Sequence, residues 1–144
     1  MLHTNSDTPI LLSNTTQRSN VTIVRTADDI NANLELLKII RLCNKRHGWT
    51  LLIAPENIPN KAVLDSCSID SSKLLVIKQK HISNLQYVLN AASSNGNFAA
   101  IITWTNIATA AQLDDMKLNL VDTELFCFSK VQGKDMCTIG SMIS

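Results

Sequence analysis

Between Ser83 and Trp104 the chain reads SNLQYVLNAASSNGNFAAIITW, a helix pattern, a stop and an apolar strand in immediate succession. Leu85, Val88, Leu89 and Ala92 recur at i, i+3, i+4 and i+7, which puts them on one face of a helix. Ser83 precedes that run and can cap it, because its hydroxyl can accept from a backbone N–H of the first turn. Asn95-Gly96 ends it, since glycine adopts the left-handed backbone past a helix at almost no cost. Phe98, Ala99, Ala100, Ile101 and Ile102 then run without a polar alternate. A strand with no polar face must be covered on both sides, and that is how parallel strands sit in α/β proteins.

The same unit recurs along the chain. Residues 1–20 are rich in Ser, Thr and Asn, and are expected to be disordered because they bury too little to offset chain entropy. The alternative for Ile10 to Leu12 is docking on a groove or a partner. Residues 21–144 are assigned to one folded α/β domain. Val21 to Arg25 suits an edge strand, and Thr26 suits the cap of a long helix that carries Asp28 and Asp29 in its first turn. Ile30, Leu34, Leu37, Ile40 (or Arg41) and Cys43 are its expected buried face. Lys45, Arg46 and His47 are expected in its last turn, with Gly48 as the stop. Trp49 to Ala54 is a central strand ended by Pro55, and Asn60 caps a short helix from Lys61 to Cys67. Ile69 lies in the turn beyond, and Lys73 opens a strand from Leu74 to Ile77. Thr109 and Gln112 have capping-box spacing and start a helix that runs to about Leu118. Leu125 to Phe128 is a further strand, and Met136 to Ile139 an edge strand after a turn at Gln132 to Lys134. Short alternation of strands and helices predicts a single α/β domain with a mostly parallel sheet flanked by helices.

Such a domain invites a nucleotide site, yet the sequence has only four glycines, at 48, 96, 133 and 140. Neither a phosphate-cradling P-loop nor a G-x-G-x-x-G turn can be built from them, so no nucleotide cofactor is expected. The three histidines, His3, His47 and His81, form no nucleophile motif; a dyad of His47 or His81 with Cys67 is the alternative. Asp28-Asp29 and Asp114-Asp115 are adjacent on helices, where neighbours diverge by about 100°, so neither pair shares a site. No H-x-x-x-H, paired cysteine or D-x-D-x-D-G spacing occurs, and no metal is expected. Cys43, Cys67, Cys127 and Cys137 are scattered, which favours free thiols. With a net charge of +1 and 4% aromatic residues, no nucleic acid is expected as a partner. Apolar runs fall far below the roughly 20 residues that span a bilayer, and no basic leader with an apolar core opens the chain. The expectation is a cytoplasmic protein without membrane contact. Trp104, at the carboxyl end of its strand, has two readings: a partly buried rim residue, or a contact on the surface that α/β domains use.

The segment from Trp49 to about Phe128 resembles the SulA family of SOS-induced bacterial cell-division inhibitors. The resemblance is carried by Trp49, Leu51 and Pro55, then Lys73 at the head of the next strand. The turn Gly96-Asn97-Phe98 and the run into Trp104 complete it, and the spacing from Trp49 to Lys73 matches without gaps. It implies a RecA-like α/β domain without a P-loop, no enzymatic activity and a homodimer. It also implies a partner, the tubulin-like GTPase FtsZ, whose polymerisation is blocked by binding alone. By position, the family's interaction surface falls on Val63, Ile69 and Lys73. Val63 stands in place of a Trp, Ile69 in place of a Leu, and Lys73 is retained. Gly48 stands in place of an Arg, for which Arg46 is the nearby substitute. Arg46 and Trp104 join the candidate partner-binding residues. The alternatives are an ATPase-dead RecA-like accessory protein in DNA-damage tolerance and a small enzyme with an unrecognised site.

Overall fold

The computed structural model describes residues 15–18, 21–120 and 122–131. The strands are β1 (Thr15–Arg18), β2 (Val21–Thr26), β3 (Trp49–Ile53), β4 (Leu74–Ile77), β5 (Phe98–Trp104) and β6 (Glu124–Lys130). The helices are α1 (Asp29–Asn44), α2 (Lys61–Ser66), α3 (Leu85–Ser94) and α4 (Ala110–Asp115). The strands form one sheet in the order β1-β2-β6-β5-β3-β4. β1 pairs antiparallel with β2, and every other pairing is parallel. The mostly parallel sheet flanked by helices is therefore the architecture the sequence predicts.

Alternate residues of the central strands feed two cores. Leu52, Ala100, Ile102, Phe126 and Phe128 point to the side where Leu36, Ile39, Ile40 and Cys43 of α1 and Leu64 of α2 pack. Leu51, Ile53, Ile101, Leu125 and Cys127 point to the other, against Leu89 and Ala92 of α3 and Leu113 of α4. This double cover is why the strands carry no polar face. The expected face of α3 holds: Leu89 and Ala92 are buried, and Leu85 and Val88 pack against the same core. Its cap is Asn84, not Ser83; the Asn84 side chain accepts from the Tyr87 amide at 3.1 Å. Gly96 takes the left-handed backbone (φ 78°) as expected. Thr109 and Gln112 form the reciprocal capping box at 3.1 and 2.8 Å, but α4 ends at Asp115, short of Leu118.

Several expectations are corrected by the packing. Thr15–Arg18, inside the segment read as disordered, forms β1; backbone pairing with β2 needs no apolar side chains, so composition did not reveal it. β2 is consequently interior rather than an edge strand. Thr26 ends β2, and its carbonyl accepts from Val131 at 2.7 Å; the cap of α1 is Asp28, which accepts from the Asn31 amide at 2.8 Å. The buried face of α1 is Leu36, Ile39, Ile40 and Cys43, whereas Ile30 and Leu34 are 72% and 58% exposed. Leu34 and Leu36 lie about 200° apart on a helix, so the sequence offers two apolar stripes and the sheet takes one. The expected strand from Met136 to Ile139, and the remainder of residues 1–20, lie outside the described residues.

Candidate partner-binding surface

The parallel strands all begin at the same end of the sheet, and the loops that enter them make one surface. α1 ends at Asn44 with Lys45 as its cap, so Lys45, Arg46 and His47 follow the helix rather than forming its last turn. The Lys73 ammonium donates to the carbonyls of Asn44 and Arg46 at 2.7 and 2.8 Å and is partly buried there. These carbonyls at the end of α1 have no partner inside the helix and carry its negative pole, which is why a cation settles on them. Asn44 and Asp70 exchange hydrogen bonds at 3.0 and 3.2 Å, which locks the turn after α2 to the same helix end. The Asp70 carboxylate accepts from the Ser72 hydroxyl and amide at 2.6 and 3.0 Å, and these bonds hold its pKa below the usual carboxylate value. Arg46 reaches across to form an ion pair with Glu124 at the head of β6. Beside it, the Thr123 hydroxyl donates to the Phe98 carbonyl at 2.6 Å and ties β6 to β5.

The sequence-derived residues divide on this frame. Arg46 and Lys73 come together, joined through the Arg46 carbonyl. Val63 lies on α2 and is 36% exposed, a small apolar side chain open to contact. Ile69 is only 3% exposed and belongs to the core with Leu64 and Ile40, so it shapes the surface from beneath and offers no side chain to a partner. Lys73 is not the free charge expected of it, because its ammonium is held by carbonyls. Arg46 is likewise engaged by Glu124. Trp104 lies at the opposite, carboxyl end of β5, stacked on Phe128 with ring centroids 5.7 Å apart, and packs against the α1 core. It shares no surface with the others.

One further residue belongs here, a tryptophan that the sequence places only at the start of a central strand. Trp49, the first residue of β3, is 47% exposed, with its ring edge-on to Phe98 at 6.4 Å and 90°. The signal was present: as the first residue of a strand next to a glycine, it sits where sheet cover ends. Burial pushes the Cys43 thiol up to about 12, with Glu124 adding to the effect and Arg46 opposing it, and burial pushes Cys127 up to about 11. Both thiols stay protonated at neutral pH and are poor nucleophiles. Cys67 is a free thiol at the end of α2. Among the described residues no group of three His, Cys, Asp or Glu could hold a metal, and no helix is long and apolar enough to cross a membrane.

No family model matches the chain. Over 80 residues it is 24% identical to the cell division inhibitor SulA of Edwardsiella piscicida, a stretch that is 56% of this chain and 48% of that protein. The chain thus matches about half the length of that relative. The crystal structure of SulA from Pseudomonas aeruginosa superposes with a TM-score of 0.59 at 16% identity, covering 81% of this chain and all of that one. The resemblance drawn from Trp49, Lys73 and the Gly96 turn therefore stands: the chain is similar to SulA in part of its sequence, and it shares the SulA fold.

Proposed function

We propose that this chain is a cytoplasmic cell-division inhibitor of the SOS response that binds FtsZ and blocks its polymerisation without chemistry of its own. The observation that carries the proposal is the double likeness to SulA: 80 residues of sequence similarity to a protein named a cell division inhibitor, and a shared fold. The surface at the amino ends of the strands fits binding rather than turnover. Lys73, Arg46 and Glu124 on it are engaged with one another or with backbone, which gives a preorganised relief. No specific observation favours a DNA-damage accessory role or an enzyme. Sedimentation of FtsZ with GTP tests the proposal. Stoichiometric protein is expected to leave FtsZ in the supernatant, and unchanged pelleting and GTP turnover at excess protein would remove the division-inhibitor function.

A homodimer belongs to the same proposal. β4 is one of the two outer strands among the described residues, and the apolar run Leu74–Ile77 contains no charge or proline to guard its edge. Leu75 on that strand is 36% exposed. Sedimentation equilibrium at tens of micromolar is expected to show a species of twice 15.9 kDa. A purely monomeric profile would count against it.

A further inference from the structure

We infer that Trp49 is the anchor of the partner-binding surface, and that the hollow beside it receives an apolar side chain flanked by carboxylates on the partner protein. The inference rests on the proposed FtsZ-binding function and adds the residue and the chemistry that would carry the contact. The hollow measures about 570 Å³ and is bordered by His47, Gly48, Trp49, Lys73, Asn97 and Phe98. Its walls are fixed. The Trp49 amide donates to the Asn97 carbonyl at 2.9 Å, the Trp49 ring abuts Phe98, and Lys73 is pinned to the end of α1. A half-exposed tryptophan on a rigid strand is the kind of group in which interfaces concentrate binding energy, since little side-chain freedom remains to be lost.

The charge around the hollow selects the occupant. Lys45, Arg46 and His47 run into it along the chain, and Lys73 borders it. Of the nearby acids, Glu124 is ion-paired with Arg46, and Asp70, which keeps its charge while accepting from Ser72, does not line the hollow. Lys45 is exposed, so the rim presents positive charge to an approaching chain. An apolar tip with carboxylates beside it satisfies both the aromatic floor and the basic rim.

Two variants test this in the FtsZ sedimentation assay. Trp49→Ala removes the anchor, and Asn97→Trp leaves Trp49 in place but fills the hollow from its exposed rim. Each is first checked for native circular dichroism and cooperative unfolding. Both are expected to raise the concentration needed for half-inhibition by at least about tenfold, while Tyr87→Ala, at a position of α3 that is 71% exposed, leaves it within about twofold. Raising the salt from 50 to 300 mM (roughly a halving of the Debye length or more) is expected to weaken wild type. If wild type inhibits and folded Asn97→Trp inhibits equally well, the hollow is not the contact and the inference falls, with the division-inhibitor function intact. If wild type fails to inhibit, the function itself falls first.

Discussion

Lys73→Glu is expected to lower the unfolding free energy by about 3 kcal/mol, a loss of folding rather than of recognition alone. In the wild type the ammonium donates to the Asn44 and Arg46 carbonyls from a partly buried position. A carboxylate there would face two carbonyl oxygens at the negative end of α1, so attraction becomes repulsion and both acceptors lose a donor. The damage would extend to the adjoining turn, which the Asn44–Asp70 hydrogen bonds fasten to the same helix end. Lys61→Glu is the control. Lys61 pairs with Asp65 at 3.1 Å on an exposed helix face, with side chains 75% and 56% exposed, and losing such a pair costs less than about 1 kcal/mol. Urea unfolding of the two variants should separate them clearly. Equal stability of Lys73→Glu and wild type would mean that the ammonium is free for a partner after all. Charge reversal at Lys73 is therefore a poor probe of the interface, and Trp49→Ala and Asn97→Trp are better ones.

Gly48→Arg, which places here the residue that the family resemblance leads one to expect, should destabilise the fold by about 3 kcal/mol instead of restoring a contact. Gly48 has φ +116°, a backbone conformation that side-chain-bearing residues rarely adopt. A Cβ at this position would lie 3.0 Å from both the Ala99 nitrogen and the Asn97 oxygen. Both are backbone atoms, and Asn97 is fixed by its bond to the Trp49 amide, so neither can turn aside as a side chain would. Strain and overpacking therefore act together. Gly96→Ala provides the comparison: its φ is +78°, but nothing lies within 4 Å of the added carbon, so only the backbone term of about 1 kcal/mol applies. Chemical denaturation followed by tryptophan emission measures both. A Gly48→Arg loss as small as that of Gly96→Ala would show that the starts of β3 and β5 are not as closely packed as described.

Much of the fold was legible in the residues because local and global preferences agree. Unbroken apolar runs at Leu51–Ala54, Phe98–Ile102 and Leu125–Phe128 require cover on both faces, and the sheet has two helical layers. Thr109 and Gln112 specify their own helix start by a contact three residues long, and Gly96 specifies its own stop. Such features depend on neighbours along the chain, so spacing alone determines them. Asn60 was readable in the same way; its side chain accepts from Val63 at 2.9 Å.

The candidate site was less legible, because its decisive contacts join residues far apart in the chain. Lys73 stands 29 and 27 positions from the carbonyls that hold it, and no local pattern distinguishes a lysine on a helix end from one in solvent. Ile69 reads as a turn residue by sequence; only the convergence of α1, α2 and the sheet buries it. Trp49 and Trp104 are the same residue type at the two ends of neighbouring strands, and the packing assigns them opposite roles: one open beside a hollow, the other stacked against Phe128. By itself the sequence determined the layers, the caps of α2 and α4 and the likeness to SulA, since these follow from periodicity, local spacing and matched residues. Which apolar stripe of α1 is buried, which charges are engaged and which tryptophan faces outward were decided only by tertiary structure, because each depends on what a distant segment places opposite it.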